Sequence, residues 1–323
     1  MPKVSVVIPI YGVEKYIERC ARSLFEQTLD DIEFVFVDDC TKDNSMGVLL
    51  ATIEDYPHRK KQIKILHHNS NKGLSRARET GVNAATGDYI VHCDSDDWLD
   101  VNAYSELYEY CIKNNYDIVK AEHFISDGNN HHVVHVFGDD NPRRNNVISY
   151  LLSCKGWNSI WDIIVKRSVY LDGHIQFTDD TMLEDFFVVT QLLIKGERIG
   201  VLKKPFYYYY QNSNSICHVS DEAVIINKCN QAYRNIGFIL KMIHSKYSNI
   251  YDKELDVLKY VPRRLMIPIM SRHANYRYWN NIYDGQFFDV AKSCFLPIVL
   301  KIQYYLVACH LYPLYSFFFK KRA

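Results

Sequence analysis

Gly87-Asp88-Tyr89-Ile90-Val91-His92-Cys93-Asp94-Ser95-Asp96-Asp97 runs from a short apolar stretch straight into three carboxylates within four residues. The apolar half reads as a buried strand, and the acidic half stands at its carboxyl end. Like charges at that range repel and raise one another's pKa. A divalent cation removes the conflict, and hard oxygen ligands suit Mg²⁺ or Mn²⁺. Mg²⁺ takes one or two carboxylates and completes its shell with water and substrate phosphates. Taken alone, the four residues fit either a metal–diphosphate site or a solvated acidic turn that caps the next helix.

Upstream, strand and helix alternate. Val4 to Ile8 is a near-continuous apolar run, as in a strand covered on both faces, and Pro9 closes it. Val13, Ile17, Cys20, Ala21, Leu24 and Phe25 recur at helical spacing. Ile32 to Val37 is a second strand stopped by Asp38-Asp39, and a helix follows from about residue 43 to 55 with Asp43 or Asn44 as its cap. Ile63 to Leu66 is a third strand and Leu74 to Ala85 a third helix. This order implies an α/β fold with a mainly parallel sheet flanked by helices on both faces. Ligands of such sheets sit beyond the carboxyl ends of the strands. Pro9 to Tyr11, Asp38-Asp39, Asn71-Lys72-Gly73 and Asp94 to Asp97 all fall there.

Downstream, Ala103 to Lys113 reads as a helix and Asp117 to Val119 as a strand. Residues 126–146 are polar, with His131 and His132 among them, and read as a hairpin or mobile loop. Leu183-Glu184-Asp185-Phe186-Phe187 sets an acidic pair at the head of an apolar helix. From about Ser220 helices replace the alternation. Ile302 to Phe319 carries no charge apart from His310 when protonated, and Lys320-Lys321-Arg322 follows. Gln303, His310 and Pro313 interrupt it, so an interfacial helix pair with a basic end is expected rather than a span. Packing on the catalytic domain is the alternative.

The 323 residues hold 38 basic and 38 acidic side chains, so no global field favours nucleic acid. The 25 Tyr, 16 Phe and 4 Trp suggest ring-lined surfaces for sugars or bases, or a bulky core. Nine scattered Cys without a C-x-x-C pair argue against a disulfide framework and a zinc site, and favour a reducing compartment. Met1-Pro2-Lys3 leads directly into a strand without a signal-peptide pattern. The expected location is the cytoplasm, peripheral at the cytoplasmic face of the membrane.

Individual side chains carry alternatives. Asp39 could accept the N3–H of uracil, bind ribose hydroxyls or cap a helix. Lys72, Arg76 and Arg78 lie around the third helix's first turns, where cations oppose the macrodipole unless an anion such as a diphosphate is present. Asp185 fits a general base, with Glu184 as alternate, or an ordinary first-turn partner of the helix dipole. His92 reads as a core residue, and His218 as a further candidate ligand for phosphate or metal. The chain has no G-x-G-x-x-G after a strand and no G-K-S/T, which excludes dinucleotide-binding and P-loop classes. A two-carboxylate hydrolase would need a facing pair at fixed separation.

The opening Val4 to Tyr11, Ser23 to Thr28, Val37 to Ser45, Asn71 to Arg78, Gly87 to Ile90 and Asp94 to Asp97 resemble, in order, glycosyltransferase family 2. Trp157, Glu184-Asp185 and Tyr208 to Ile216 resemble the second half of its catalytic domain, so the likeness covers about residues 1–215. It implies a GT-A fold with a nucleotide-binding half to about residue 98, an acceptor half over 99–215 and a helical region over 216–323. It also implies a nucleotide-sugar donor, a divalent metal (Mn²⁺ or Mg²⁺), a glycan or lipid-linked sugar acceptor and inversion at the anomeric carbon. Carried over by position, Asp39 would bind the base, Pro9 and Tyr11 would line the nucleotide pocket, and Lys72 and Arg78 would lie near the nucleotide. Asp94 would meet ribose or metal, Asp96 would be the metal ligand and Asp185 the catalytic base. Asp97 is expected to be a helix-entry residue. Gly12 replaces the usual Asn, and Cys40 replaces a usual Gly and calls for φ below zero. Ile160-Trp161-Asp162 lacks the common Lys-Leu pair. A non-catalytic nucleotide-sugar-binding or scaffold protein of the same fold is the alternative function.

Overall fold

The computed structural model describes residues 1–136, 142–156, 158–211, 221–271, 273–282, 293–294 and 296–319. Trp157, His218, residues 212–216 and Lys320-Lys321-Arg322 lie outside them. The chain divides into two compact units, one of residues 1–148, 156–179 and 184–215, the other of 149–155, 180–183 and 216–323.

The first unit is built on a nine-stranded sheet. Its strands are β1 (Val4–Ile10), β2 (Ile32–Asp38), β3 (Ile63–His67), β4 (Tyr89–His92), β5 (Trp98–Leu99), β6 (Ile118–Ser126), β7 (His131–Val134), β8 (Ile163–Lys166) and β9 (Ile199–Tyr210). They lie in the order β3-β2-β1-β4-β8-β6-β9-β5, with β7 paired to β6. The helices are α1 (Ile17–Phe25), α2 (Ser45–Glu54), α3 (Leu74–Ala84), α4 (Ala103–Asn114), α6 (Arg167–Asp172) and α7 (Glu184–Lys195); α5 (Arg144–Leu152) runs across the division of the chain.

β1 is buried along its whole length because β2 and β4 flank it in parallel and helices cover both faces. Val4, Val6, Ile8 and Ile10 join Ile17, Cys20, Leu24 and Phe25 of α1 in the main core. Phe25 meets Phe34 and Phe36 edge-on, at 5.4 and 6.1 Å between ring centres. Each such ring contributes about 1.5–3 kcal/mol by leaving water. On the other face α3 approaches so closely that a Cβ at Gly81 would stand 2.3 Å from Val7 Cγ1, so only glycine fits. β3, β2, β1 and β4 are parallel, as the alternation implies, but β8 joins β4 antiparallel and the sheet is mixed beyond it. His131 and His132 lie on β7, not in a loop; the polar segment's start is a β6–β7 hairpin turning at Asp127 to Asn130.

The second unit is helical: α8 (Glu222–Tyr247), α9 (Asp252–Met266), α10 (His273–Asn281), α11 (Ile298–Ala308) and α12 (Tyr312–Phe319). Asp221 caps α8 by accepting from Val224 N at 3.1 Å. Ile225, Cys229, Ala232, Ile236, Ile239 and Ile243 form its buried stripe. Arg263 is enclosed in this unit, where it donates to Tyr304 Oη at 2.9 Å and to the Ile282 carbonyl and lies over the Trp279 ring. No helix among the described residues is long and apolar enough to cross a membrane.

Candidate active site

The parallel half of the sheet delivers its strand ends to one rim. There Ser95 Oγ donates to the Pro9 carbonyl at 2.8 Å and Arg19 Nη2 to the Asp96 carbonyl at 2.8 Å, which ties the Asp94–Asp97 turn to β1 and α1. The three carboxylates separate in role. Asp97 is fully buried and accepts from Tyr207 Oη at 2.6 Å and Tyr210 N at 2.7 Å. Burial, then the charges of Asp96 and Asp94, hold its pKa well above the usual carboxylate range. It leads into the two-residue strand β5, not into a helix as expected, because β9 pairs with Trp98 and Leu99 and draws the chain into the sheet. Tyr207 Oη also accepts from Asp94 N at 3.0 Å, so one phenol braces both ends of the turn. Asp94 and Asp96 keep partial exposure at the rim.

Arg78 lies behind them, 2% exposed on α3. Its Nη2 donates to Asp94 Oδ1 at 2.8 Å and its Nη1 to Asp185 Oδ1, with Glu184 Oε1 at 3.8 Å. Burial opposes the guanidinium's charge, but Asp185, Asp94 and Glu184 outweigh it and hold the pKa above its ordinary value. Asp185 Oδ2 also accepts from Ile160 N at 3.3 Å. Burial raises the pKa of Asp185 while Arg78 lowers it, and the net direction is upward. Burial and then the charge of Asp185 push Glu184 up to about 7. His92 is buried with Nε2 3.0 Å from Tyr170 Oη, and burial lowers its pKa well below the imidazole value.

Asp39 is buried and already engaged: His68 Nδ1 lies 2.6 Å from Oδ1, and Lys72 N and Gly73 N donate to Oδ1 and Oδ2 at 2.8 Å each. It therefore clamps the entry of α3 to the end of β2. A carboxylate has about four acceptor positions, so Oδ2 retains capacity for another donor. The Lys72 side chain is exposed, as is the Tyr11 ring at 48%. Cys40 adopts φ +59°, against the expectation of a negative φ. The turn is held there by Thr41 N donating to Asp38 Oδ1 at 2.9 Å, at the roughly 1–2 kcal/mol that left-handed backbone costs a residue with a Cβ.

In the irregular Ile160-Trp161-Asp162 segment, Asp162 is buried against Lys120 Nζ, with His123 Nδ1 at 3.3 Å. Trp161 stacks on Tyr207 and Tyr209, at 4.6 and 5.3 Å between ring centres. Trp161 therefore supports the tyrosine that braces the acidic turn. No motif pointed to Tyr207 or Arg19, and Ser95 stood inside the acidic motif without a role of its own. The available signal was the Tyr207–Tyr210 run, which sends alternate rings to opposite faces of β9.

Among the described residues no three His, Cys, Asp or Glu side chains form a ready metal cage. The rim instead offers two hard oxygen donors, Asp94 and Asp96, since Asp97 is spent on Tyr207 and Tyr210. That set fits Mg²⁺ or Mn²⁺ completed by water and phosphate oxygens, and does not fit a site that prefers nitrogen or sulfur.

The sequence model of Glycosyl transferase family 2 matches residues 5–184, and the chain belongs to that family. It is 30% identical over 225 residues to the uncharacterized glycosyltransferase EpsJ of Bacillus subtilis (strain 168), a match spanning 68% of this chain and 64% of that protein. Its fold is GT-A. S. aureus TarS 1-349, solved in complex with UDP-GlcNAc, superposes with a TM-score of 0.72 at 18% identity, covering 96% of this chain and 88% of that one. A mannosyltransferase from Pyrobaculum calidifontis, solved with GDP-Man and Mn²⁺, superposes with a TM-score of 0.58 at 16% identity, covering 99% and 88%.

Proposed function

We propose that this member of glycosyltransferase family 2 is an inverting transferase of the hexosyl or N-acetylhexosaminyl type. It moves a sugar from a nucleotide-sugar donor, UDP-linked, to a hydroxyl of a glycan or lipid-linked sugar acceptor in polysaccharide or glycoconjugate assembly. The observation that carries this reading is the Arg78 guanidinium between Asp94 and Asp185. It sets the carboxylate of the acidic turn beside the carboxylate of α7, so one cluster can address both the donor's leaving group and the acceptor's hydroxyl. The UDP-GlcNAc in TarS supports a uridine donor.

In this reading Asp185 takes the proton of the acceptor hydroxyl as that oxygen attacks C1 from the face opposite the nucleotide. The bond from C1 to the diphosphate oxygen breaks, and the nucleoside diphosphate leaves with the electron pair. The Arg78 contact opposes the effect of burial on Asp185, while the net upward shift of its pKa makes it the stronger base for the proton. Asp39 would receive the base, and Pro9 and Tyr11 would line its pocket. The open N–H groups of α3, with Lys72, would face the diphosphate. When bound at Asp94 and Asp96, Mn²⁺ or Mg²⁺ supplies Lewis-acid stabilisation of the leaving diphosphate. The C-terminal helices would hold the enzyme at the cytoplasmic face of the membrane, within reach of lipid-linked acceptors.

Release of nucleoside diphosphate from a panel of nucleotide sugars with Mn²⁺ tests the reading. Release that EDTA abolishes and Asp185→Asn cuts by about 10²–10⁴ supports it. A donor that binds but never turns over would favour the non-catalytic binding protein instead.

A further inference from the structure

The outward side of α11 is apolar. Ile298, Ile302, Tyr305 and the following Cys309 stand at i, i+4, i+7 and i+11, which puts them on one line of helix surface. All four are exposed, Ile298 at 69% and Ile302 at 47%, while Tyr304 and Val307 on the opposite side are buried in the helical unit's core. Leu311, in the turn after α11, and Leu314, on α12, are exposed apolar residues as well. An open helix face of a water-soluble unit ordinarily carries charge.

The charge of the same segment is one-signed. From residue 290 to 323 the chain has no Asp or Glu, but it has Lys292, Lys301, Lys320, Lys321 and Arg322. An apolar stripe within a wholly cationic stretch matches a surface that offers anions above an apolar interior. An anionic bilayer is such a surface: Ile and Leu enter the acyl boundary, Tyr sits at headgroup level and Lys meets the lipid charge. We propose that the Ile298–Ile302–Tyr305 face of α11, with Leu311 and Leu314, docks the protein onto an anionic lipid bilayer, lying in its surface rather than crossing it. This rests on the membrane-facing reading of the C-terminal region given above and sharpens it to one face and one lipid class.

Cosedimentation of the full chain with vesicles of phosphatidylcholine alone, or mixed with phosphatidylglycerol, tests the proposal. Binding to the mixed vesicles only, weakened by salt, is expected. Ile302→Glu is expected to reduce it about tenfold. The thermal shift given by a nucleotide sugar with Mn²⁺, read on the same samples, is expected to stay unchanged, so loss of docking and loss of donor chemistry are read separately. If Ile302→Glu fails to fold, Leu314→Glu at a 46% exposed position serves in its place. No vesicle binding, equal binding to neutral vesicles or full binding by the variant overturns the proposal. A dimer that Ile302→Glu dissolves, without vesicle binding, overturns it in favour of a second copy of the chain.

Discussion

Arg78 and Asp185, 107 residues apart in the chain, share a buried ion pair, and the other arm of the same guanidinium holds Asp94. The pair joins α3, which begins just after Asn71-Lys72-Gly73, to α7, whose first turn carries the acidic residues. A lone carboxylate at the depth of Asp185 would resist ionisation; the guanidinium opposes that penalty, though the net shift of its pKa is still upward.

Arg78→Lys replaces a planar fork by a point charge and cannot hold two carboxylates at once. Turnover is expected to fall by about 10² or more while the fold survives. Arg78→Ala leaves buried carboxylates uncompensated and is expected to cost about 3–5 kcal/mol in urea unfolding. Unchanged turnover in Arg78→Lys would show that the bridge does not position Asp185.

Asp185→Asn keeps the shape and removes the proposed base. A loss of about 10²–10⁴ in turnover is expected, with the donor's thermal shift retained. Glu184→Gln should be far milder; if the two variants exchange these effects, Glu184 is the base.

Glu184 at about 7 lies above its ordinary 4.5, so between those values the folded chain holds a proton that the unfolded chain has lost. Its contribution to stability is full below about pH 4.5 and declines as pH rises towards 7. Glu184→Gln removes that decline. The variant's unfolding free energy should therefore gain on the parent's between about pH 5 and about pH 8, by an amount on the order of 1–3 kcal/mol read in urea unfolding. Parallel pH profiles of that free energy across the range would reject the assignment.

Tyr207→Phe removes the hydroxyl that donates to Asp97 and accepts from Asp94 N. A loss of about 1–3 kcal/mol in stability is expected, because among the described residues the buried Asp97 would then keep the Tyr210 amide alone as a donor. The turn's ends also loosen, so the Mn²⁺ concentration needed for half-maximal donor binding should rise. A stability loss with an unshifted Mn²⁺ requirement would make Tyr207 a fold residue alone.

Chelation provides an independent check on Asp94 and Asp96. EDTA should abolish the thermal shift given by the nucleotide sugar, and Mn²⁺ should restore it in the parent but not in Asp96→Ala. A donor shift that ignores EDTA would remove the metal from the binding step.

Several elements were legible because their signals are local. Val4 to Ile8 is apolar at every position but Ser5, as suits a strand covered on both faces, and Leu183 to Phe187 announces a helix by its acidic first turn. The antiparallel entry of β8 was not legible, since Ile163 to Lys166 carries no mark of its partner. Asp97 misled for the same reason: as sequence it is one of three equivalent acids, and only pairing with β9 makes it a buried structural group.

The sequence by itself determined the α/β alternation, the four strand-end motifs and the family, because periodicity and short motifs are written in neighbouring residues. The tertiary structure alone decided which acids face the rim and which are spent inside. It also decided that Arg78 joins Asp94 to Asp185 and that the solvent side of α11 is the apolar one. These depend on where distant segments meet, and a carboxylate's charge state and reach are set by burial and by the donors that folding brings to it.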